Sequence, residues 1–372
     1  MSRINKKKTV TRTAAAADAN AAARATTAST YSTVQLDCFP VCLQWAPSAA
    51  FVAIGGDDGD VRFVDQQGTI AARFAAHPGG VTALAWHPLT GELATTGQDR
   101  KVMIWTQGAS GDAWASREVY TAERNQIEKL AWSSAHRWLA LAEGKQVLVA
   151  MAASVTELGE PLVVHALGEL PSSVTGLQFS PSGSTLGAAA FGGVSLFDPV
   201  GRRVVKKLEW KGSMLGLEFS PDGTVVACGC QDNSVHFWRI ASGKDAQMSG
   251  YPTKPTSVSF SSNGKYLATN GDASICLWPF DAKGPEGRSP VVLEGHGSVV
   301  TELAFAPMVD LLLSGDRDGT LALWTPPALK TPAMMHRMPS KIAALGWGVD
   351  VANQTLCWAA ADQNGTLLLG VV

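Results

Sequence analysis

Apolar residues in this chain come in short runs, and the runs recur in a fixed order. Val81–Pro88 reads VTALAWHP, Val174–Pro181 reads VTGLQFSP, Met214–Pro221 reads MLGLEFSP and Val300–Pro307 reads VTELAFAP. A turn such as SPSG (180–183), SPDG (220–223) or SSNG (261–264) follows. Next come a second apolar run, like Glu92–Thr96, and a turn such as GQD (97–99) or GDRDG (315–319). A third run then tends to end in Trp, like Lys101–Trp105, and a more polar stretch follows, like Trp114–Tyr120 or Pro290–Glu294. Short apolar runs bounded by Gly, Asp, Ser and Pro predict strands joined by tight turns. No long segment carries a helical period, so the pattern predicts an all-β fold.

The aromatic residue that ends the first strand of each unit measures the repeat. These residues are Trp45, Trp86, Trp132, Phe179, Phe219, Phe260, Phe305 and Trp347, at steps of 41, 46, 47, 40, 41, 45 and 42. A period of that size marks a solenoid, propeller or array. Four antiparallel strands per unit, repeated radially, make a β-propeller. The count predicts eight blades, with seven as the alternative if a weak unit is irregular. The eighth unit stops after its third strand, Thr366–Val372, while Ser32–Asp37 (STVQLD) is strand-like with no unit before it. The two are expected to pair and close the ring, which removes an open sheet edge. The domain reading is a basic, Ala-rich disordered tail over residues 1–30 and a propeller over 31–372.

At these residues the chain resembles the WD-repeat family over essentially all of 31–372. The second unit places His77 before the first strand, Thr95 in the second, Asp99 in the following turn and Trp105 at the end of the third. The seventh unit offers His296, Ser314, Asp318 and Trp324 at the same places. The resemblance implies that each foursome is a hydrogen-bonded set inside its blade, which would satisfy buried polar groups. A Ser–His–Asp catalytic reading is the alternative, but the same pattern at repeat spacing argues for structure. Other units depart from the pattern. Cys228 holds the hydroxyl position of the fifth, Val64 and Phe197 replace Trp in the first and fourth, and Asn364 replaces Asp in the eighth.

Composition sets limits on partners. The net charge is −2, which gives no overall case for nucleic acid or a membrane. Residues 1–30 carry +5, leaving −7 on the rest. The run Ala14–Ala25 is interrupted by Asp18, Asn20 and Arg24 and lacks the centre of a secretory signal. An organelle transit peptide is the alternative to a solubilising tail. Six cysteines without a C-x-x-C pair suit a reducing compartment, so a cytoplasmic protein is expected.

Candidate chemistry is sparse. Channel-facing positions of the first strands are mostly small, the exceptions being Gln44, Lys129, Gln178, Glu218 and Glu302. Two acids in non-neighbouring units do not supply the oxygen ligands of a hard cation, and no phosphate loop or HExxH segment occurs. No cofactor or metal is expected. The reading is a non-catalytic scaffold that binds a protein or peptide on a propeller face, as a monomeric propeller within a complex. The alternative is a metal-dependent hydrolase with a site in the central funnel. Rim positions implied by the resemblance include Tyr251, Lys254, Arg317, Arg337 and Lys341, a basic sector over the sixth to eighth units with Tyr as an anchor. Such a sector suits an acidic or phosphorylated partner. Phe191, in the glycine-flanked turn AFGG, either tucks over its blade, the reading favoured, or stands out as an anchor.

Overall fold

The structure, a computed structural model, describes residues 31–108, 114–152, 162–281 and 284–372. The tail assigned to residues 1–30 therefore lies outside the described residues. Eight antiparallel sheets follow one another along the chain, one per sequence unit, and close into a ring. The first blade shows the plan, with strands Pro40–Trp45, Phe51–Gly56, Asp60–Asp65 and Ile70–Ala75 in spatial order. Second and third strands are buried almost throughout, as in Phe51–Gly56 and Thr320–Trp324, because a neighbouring blade covers each face of the sheet. This explains their unbroken apolar runs. Outer strands such as Ile70–Ala75 alternate between exposed and half-buried positions. The core is divided into wedges between blades. One wedge joins Ala94 and Ile104 of the second blade to Leu139 and Leu141 of the third.

The aromatic ruler has a physical cause. Seven of the eight aromatics end their first strands, and Trp347 lies within Ile342–Asp350. Each indole or phenyl ring packs toward the preceding blade. Trp86, Trp132 and Trp347 donate their indole N–H groups to the carbonyls of Gln44, Ala85 and Ala304, one blade back, at 3.2, 3.0 and 2.9 Å. Side chains beside the aromatics return the contact. Gln44, Gln178 and Ser259 accept the backbone N–H of Trp86, Phe219 and Phe305 at 2.9, 3.0 and 3.0 Å. The innermost strands would otherwise leave those N–H groups unpaired.

The fourth blade departs from the plan. Its second and third strands run together as Leu186–Asp198, passing through Gly192 and Gly193 at φ of 95° and 118°. Closure follows the expected pairing. Tyr31–Gln35 lies antiparallel to Thr366–Val371, with Tyr31 opposite Gly370 and Gln35 opposite Thr366. The Leu36 N–H donates to the Gly365 carbonyl at 2.8 Å. Gly365 has φ of +85°, and a Cβ there would sit 2.7 Å from the Cys38 carbonyl oxygen and 2.8 Å from that of Leu36. Only glycine allows that approach.

Candidate functional site

Within the second blade, the His77 ring meets Thr95 Oγ1 through Nε2 at 2.8 Å and Asp99 Oδ1 through Nδ1 at 2.9 Å. The Trp105 indole N–H also donates to Thr95 Oγ1, at 2.9 Å. Burial pushes the His77 pKa down, toward the neutral ring. In that form one tautomer satisfies the whole set: the hydroxyl accepts from the indole and gives its hydrogen to Nε2, and the Nδ1 proton goes to Asp99. A nucleophilic hydroxyl would need a free approach. Thr95 has none, being fully buried with both its donor and an acceptor site engaged. The set therefore holds strands together.

The seventh blade repeats the geometry with one correction. His296 meets Ser314 Oγ at 2.6 Å, and Trp324 donates to the same oxygen at 2.7 Å. The carboxylate on Nδ1 is Asp316, at 3.0 Å, and not Asp318. Asp318 is exposed and donates its own backbone N–H to Asp316. Sequence alone favours Asp318 because it stands six residues before Trp324, as Asp99 does before Trp105. In the second blade the position matching Asp316 is Gly97, where a Cβ would come 2.3 Å from that of His77. That blade takes its carboxylate from two residues further on. The eighth blade follows the seventh: Asp362, not Asn364, is buried and accepts the backbone N–H groups of Ser340, Asn364 and Thr366. Asp316→Ala is expected to lower stability by roughly 1–3 kcal/mol, since it leaves buried donors unpaired. Asp318→Ala should stay within about 0.5 kcal/mol of the parent, as surface changes do. Denaturant midpoints of the two variants check this.

Two further sets replace the histidine with other groups. Tyr251, expected on the rim, is instead 9% exposed and acts as the sixth blade's histidine. Its hydroxyl lies 2.7 Å from Thr269 Oγ1 and accepts the Trp278 indole N–H at 2.7 Å. Tyr251 precedes Thr269 by the same 18 residues that separate His77 from Thr95 and His296 from Ser314. That spacing was the signal in the sequence. In the first blade, fully buried Arg62 bonds Asp37 at 2.6 Å and Asp58 at 2.6 Å, and Arg73 reaches Asp37 and Asp60. Hydrogen bonds from Arg73 and Arg62 hold the Asp37 carboxyl below its usual range. Asp37, Cys38 and Asp58 have ligand atoms within 4.8 Å of one another. Arg62 already occupies both carboxylates, so a cation there would have to displace it.

The channel positions divide. Gln44 and Gln178 serve as the inter-blade caps described above, and Gln178 also donates to Glu218 Oε2 at 3.3 Å. Burial pushes the Glu218 carboxyl up to about 7. Burial likewise raises Glu302 to about 7, although Lys341 and Lys129 pull it back. On the rim, Lys254, Arg317 and Arg337 are exposed and Lys341 is half-buried. Arg337 donates to Thr320 Oγ1 at 3.1 Å. Among the described residues, none of the four is in an ion pair. Phe191 is 50% exposed, so it stands out instead of tucking over its blade.

A family model described as WD domain, G-beta repeat matches residues 68–106, 203–239, 246–279 and 287–325. The chain belongs to the WD40 β-propeller family. The four matched WD40 segments run into Trp105, Trp238, Trp278 and Trp324, the units whose third strands carry the tryptophan. The solved structure of Sqt1 from Saccharomyces cerevisiae superposes with a TM-score of 0.77 at 17% identity, covering 91% of this chain and 98% of that one. Among curated proteins, Autophagy-related protein 16 of Arabidopsis thaliana is 24% identical over 320 residues, 83% of this chain and 59% of its own length. The Ribosome biogenesis protein WDR12 homolog of Chlamydomonas reinhardtii is 25% identical over 331 residues, 83% of this chain and 68% of its own. Thus the chain spans 59% and 68% of the lengths of these two relatives. WD40 propellers generally act as protein-interaction scaffolds.

Proposed function

We propose that this WD40 propeller is a non-catalytic scaffold that captures an acidic or phosphorylated segment of a protein partner. Capture takes place at the end of the blades formed by the turns between second and third strands. The observation that carries this reading is the group Lys254, Arg317, Arg337 and Lys341. They reach that one end of the sixth to eighth blades outside any ion pair among the described residues, on a domain that is otherwise net negative. Some surface cations elsewhere are paired, as Arg239 is by Glu286 and Lys101 by Glu118. Unpaired Arg and Lys at one end favour carboxylate or phosphate, and Arg can bind either one bidentately. Tyr251 drops out of this surface, and Phe191 remains as an exposed apolar contact in the fourth blade. A cytoplasmic setting belongs to the same reading. Six free cysteines, with Cys42 pushed up to about 12 and Cys230 to about 11 by burial, fit a reducing compartment.

Charge reversal at Arg317 and Lys341 together tests it. Tagged parent and double variant are compared for partner capture over a salt series. Capture by the variant should weaken roughly 5- to 50-fold at low salt, and its dependence on salt should flatten. Equal capture at every salt concentration, with unchanged melting, would refute this placement of the partner.

A further inference from the structure

The outer strand of the fourth blade, Arg203–Ser213, differs from its counterparts in length and in charge. It has 11 residues, whereas the outer strands of the other blades have from 3, in Val291–Leu293, to 8, in Trp114–Thr121. Arg203, Lys206, Lys207 and Lys211 stand on it against a single acid, Glu209, a net charge of +3. No other outer strand carries more than one net charge of either sign.

The strand is also an open edge. On one side it pairs with Leu186–Asp198, with Gly193 opposite Glu209 and Leu196 opposite Lys206. On its other side no strand follows. Among the described residues, no backbone group from Arg203 to Gly212 is hydrogen-bonded outside that ladder.

Alternate side chains hold it in place. Lys206, Leu208 and Trp210 turn to the fifth blade. Lys206 Nζ donates to the carbonyls of Ile240 and Ala241, Leu208 shares a core wedge with Cys228 and Trp238, and the Trp210 ring lies 3.9 Å from that of His236. Val205, Lys207, Glu209 and Lys211 are exposed. The fifth blade thus keeps the edge extended, and a partner has no ordering cost to meet on this side. A groove of 1100 Å³ lies beside Lys207, Glu209 and Lys211. Two carboxylates of neighbouring blades border it, and both are engaged, Glu169 by Lys145 and Asp245 by His236 at 2.9 Å. Lys207 and Lys211 are in no ion pair among the described residues.

An open edge is a template for a further strand, and lysines along it keep two copies of this chain apart by like charge. The same charge admits a strand of the opposite sign, because facing charges decide which strands pair. We propose that Arg203–Ser213 docks an acidic, extended segment of a partner protein, which adds to the fourth blade as a further strand. Main-chain hydrogen bonds supply the affinity, and the lysines select carboxylate-bearing segments. This surface is on the circumference of the ring and does not depend on the reading at Arg317 and Lys341.

The probe is a short acetylated, amidated peptide in which Glu alternates with Val, added to the full chain and followed by amide hydrogen exchange. Exchange across residues 203–213 is expected to slow roughly tenfold or more, as open amides enter a ladder. Methylating alternate backbone nitrogens of the peptide should remove that protection, since the charge is kept and the ladder is lost. Lys207→Glu with Lys211→Glu should weaken binding roughly tenfold or more with unchanged melting, because both side chains are in water. Arg317→Glu with Lys341→Glu should leave the protection of 203–213 as in the parent, so failure here is distinct from failure of the rim reading. Four results would overturn the proposal: no protection of 203–213 by the peptide; equal protection by the methylated peptide, which marks a charge contact alone; undiminished binding to the Lys207 and Lys211 variant; or protection by anionic phospholipid vesicles and none by the peptide, which marks a membrane surface.

Discussion

A chain that begins after Cys38 is expected to unfold at a temperature lower by roughly 5–10 °C and to aggregate, whereas removal of residues 1–30 should leave the melting temperature unchanged. The difference lies in Tyr31–Leu36. Its five ladder pairs cover Leu367 and Leu369, which are 0% and 1% exposed, and Leu36 itself is 4% exposed. Burying one such side chain is worth about 1.5–3 kcal/mol. With the backbone ladder added, the loss reaches several kcal/mol, and each kcal/mol lowers Tm by about 1–2 °C in a domain of this size. The uncovered Thr366–Val371 strand also becomes an unpaired edge, a template for association. Light scattering during a thermal ramp separates the two truncations. A chain lacking residues 1–38 that stayed monomeric with the parental Tm would rule out the closure as a source of stability.

Glu92→Ala should be among the most destabilising single changes in the molecule, by roughly 3–5 kcal/mol, because it strands a buried charge. Glu92 and Arg137 are each 1% exposed, and they join the second and third blades through a paired contact, Nε to Oε2 at 2.6 Å and Nη2 to Oε1 at 2.7 Å. A second guanidinium, Arg117, lies 3.8 Å from the same carboxylate. Desolvation and the nearby Arg137 charge already push the Arg117 pKa down, so removing Glu92 leaves two cations facing each other. Replacing the pair together, Glu92→Leu with Arg137→Met, should cost much less than the sum of the single changes. Urea unfolding of the two single variants and the double variant gives the coupling directly. Strict additivity would show that the pair contributes no mutual stabilisation.

The ring was legible in the sequence because its determinants are local and repeated. The eight aromatics recur for a reason visible in the hydrogen bonds of Trp86, Trp132 and Trp347, each bound to the blade before it. Closure was legible because Ser32–Asp37 and Thr366–Val372 are complementary remnants of one unit. The polar sets were read only in part. His77–Thr95–Asp99 followed from spacing, but the choice of Asp316 over Asp318 depends on which residue can carry a side chain against the imidazole ring. In sequence Tyr251 reads as a surface anchor, because an exposed tyrosine and a histidine substitute look alike until the hydroxyl is placed against Thr269. The Glu92–Arg137 pair escaped altogether. It is made between blades, by residues whose local sequence looks like ordinary turns.

The pairing of Tyr31 with Gly370 also sets a timetable. Blades two to seven can form as each leaves the ribosome, since all four of their strands are contiguous or nearly so. The closing strand is made at the start, and its partner is made more than three hundred residues later. At about 5–20 residues per second, Tyr31 waits roughly 15–70 s for the strand it pairs with. Throughout that interval the first blade lacks the neighbour that covers Trp45, Val52 and Ile54, which share a core wedge with the eighth blade's Ala359 and Leu369. Synthesis of this propeller therefore passes through a long-lived open ring with an apolar blade face in water, and its yield in a cell depends on how well that face is shielded until the final strand arrives.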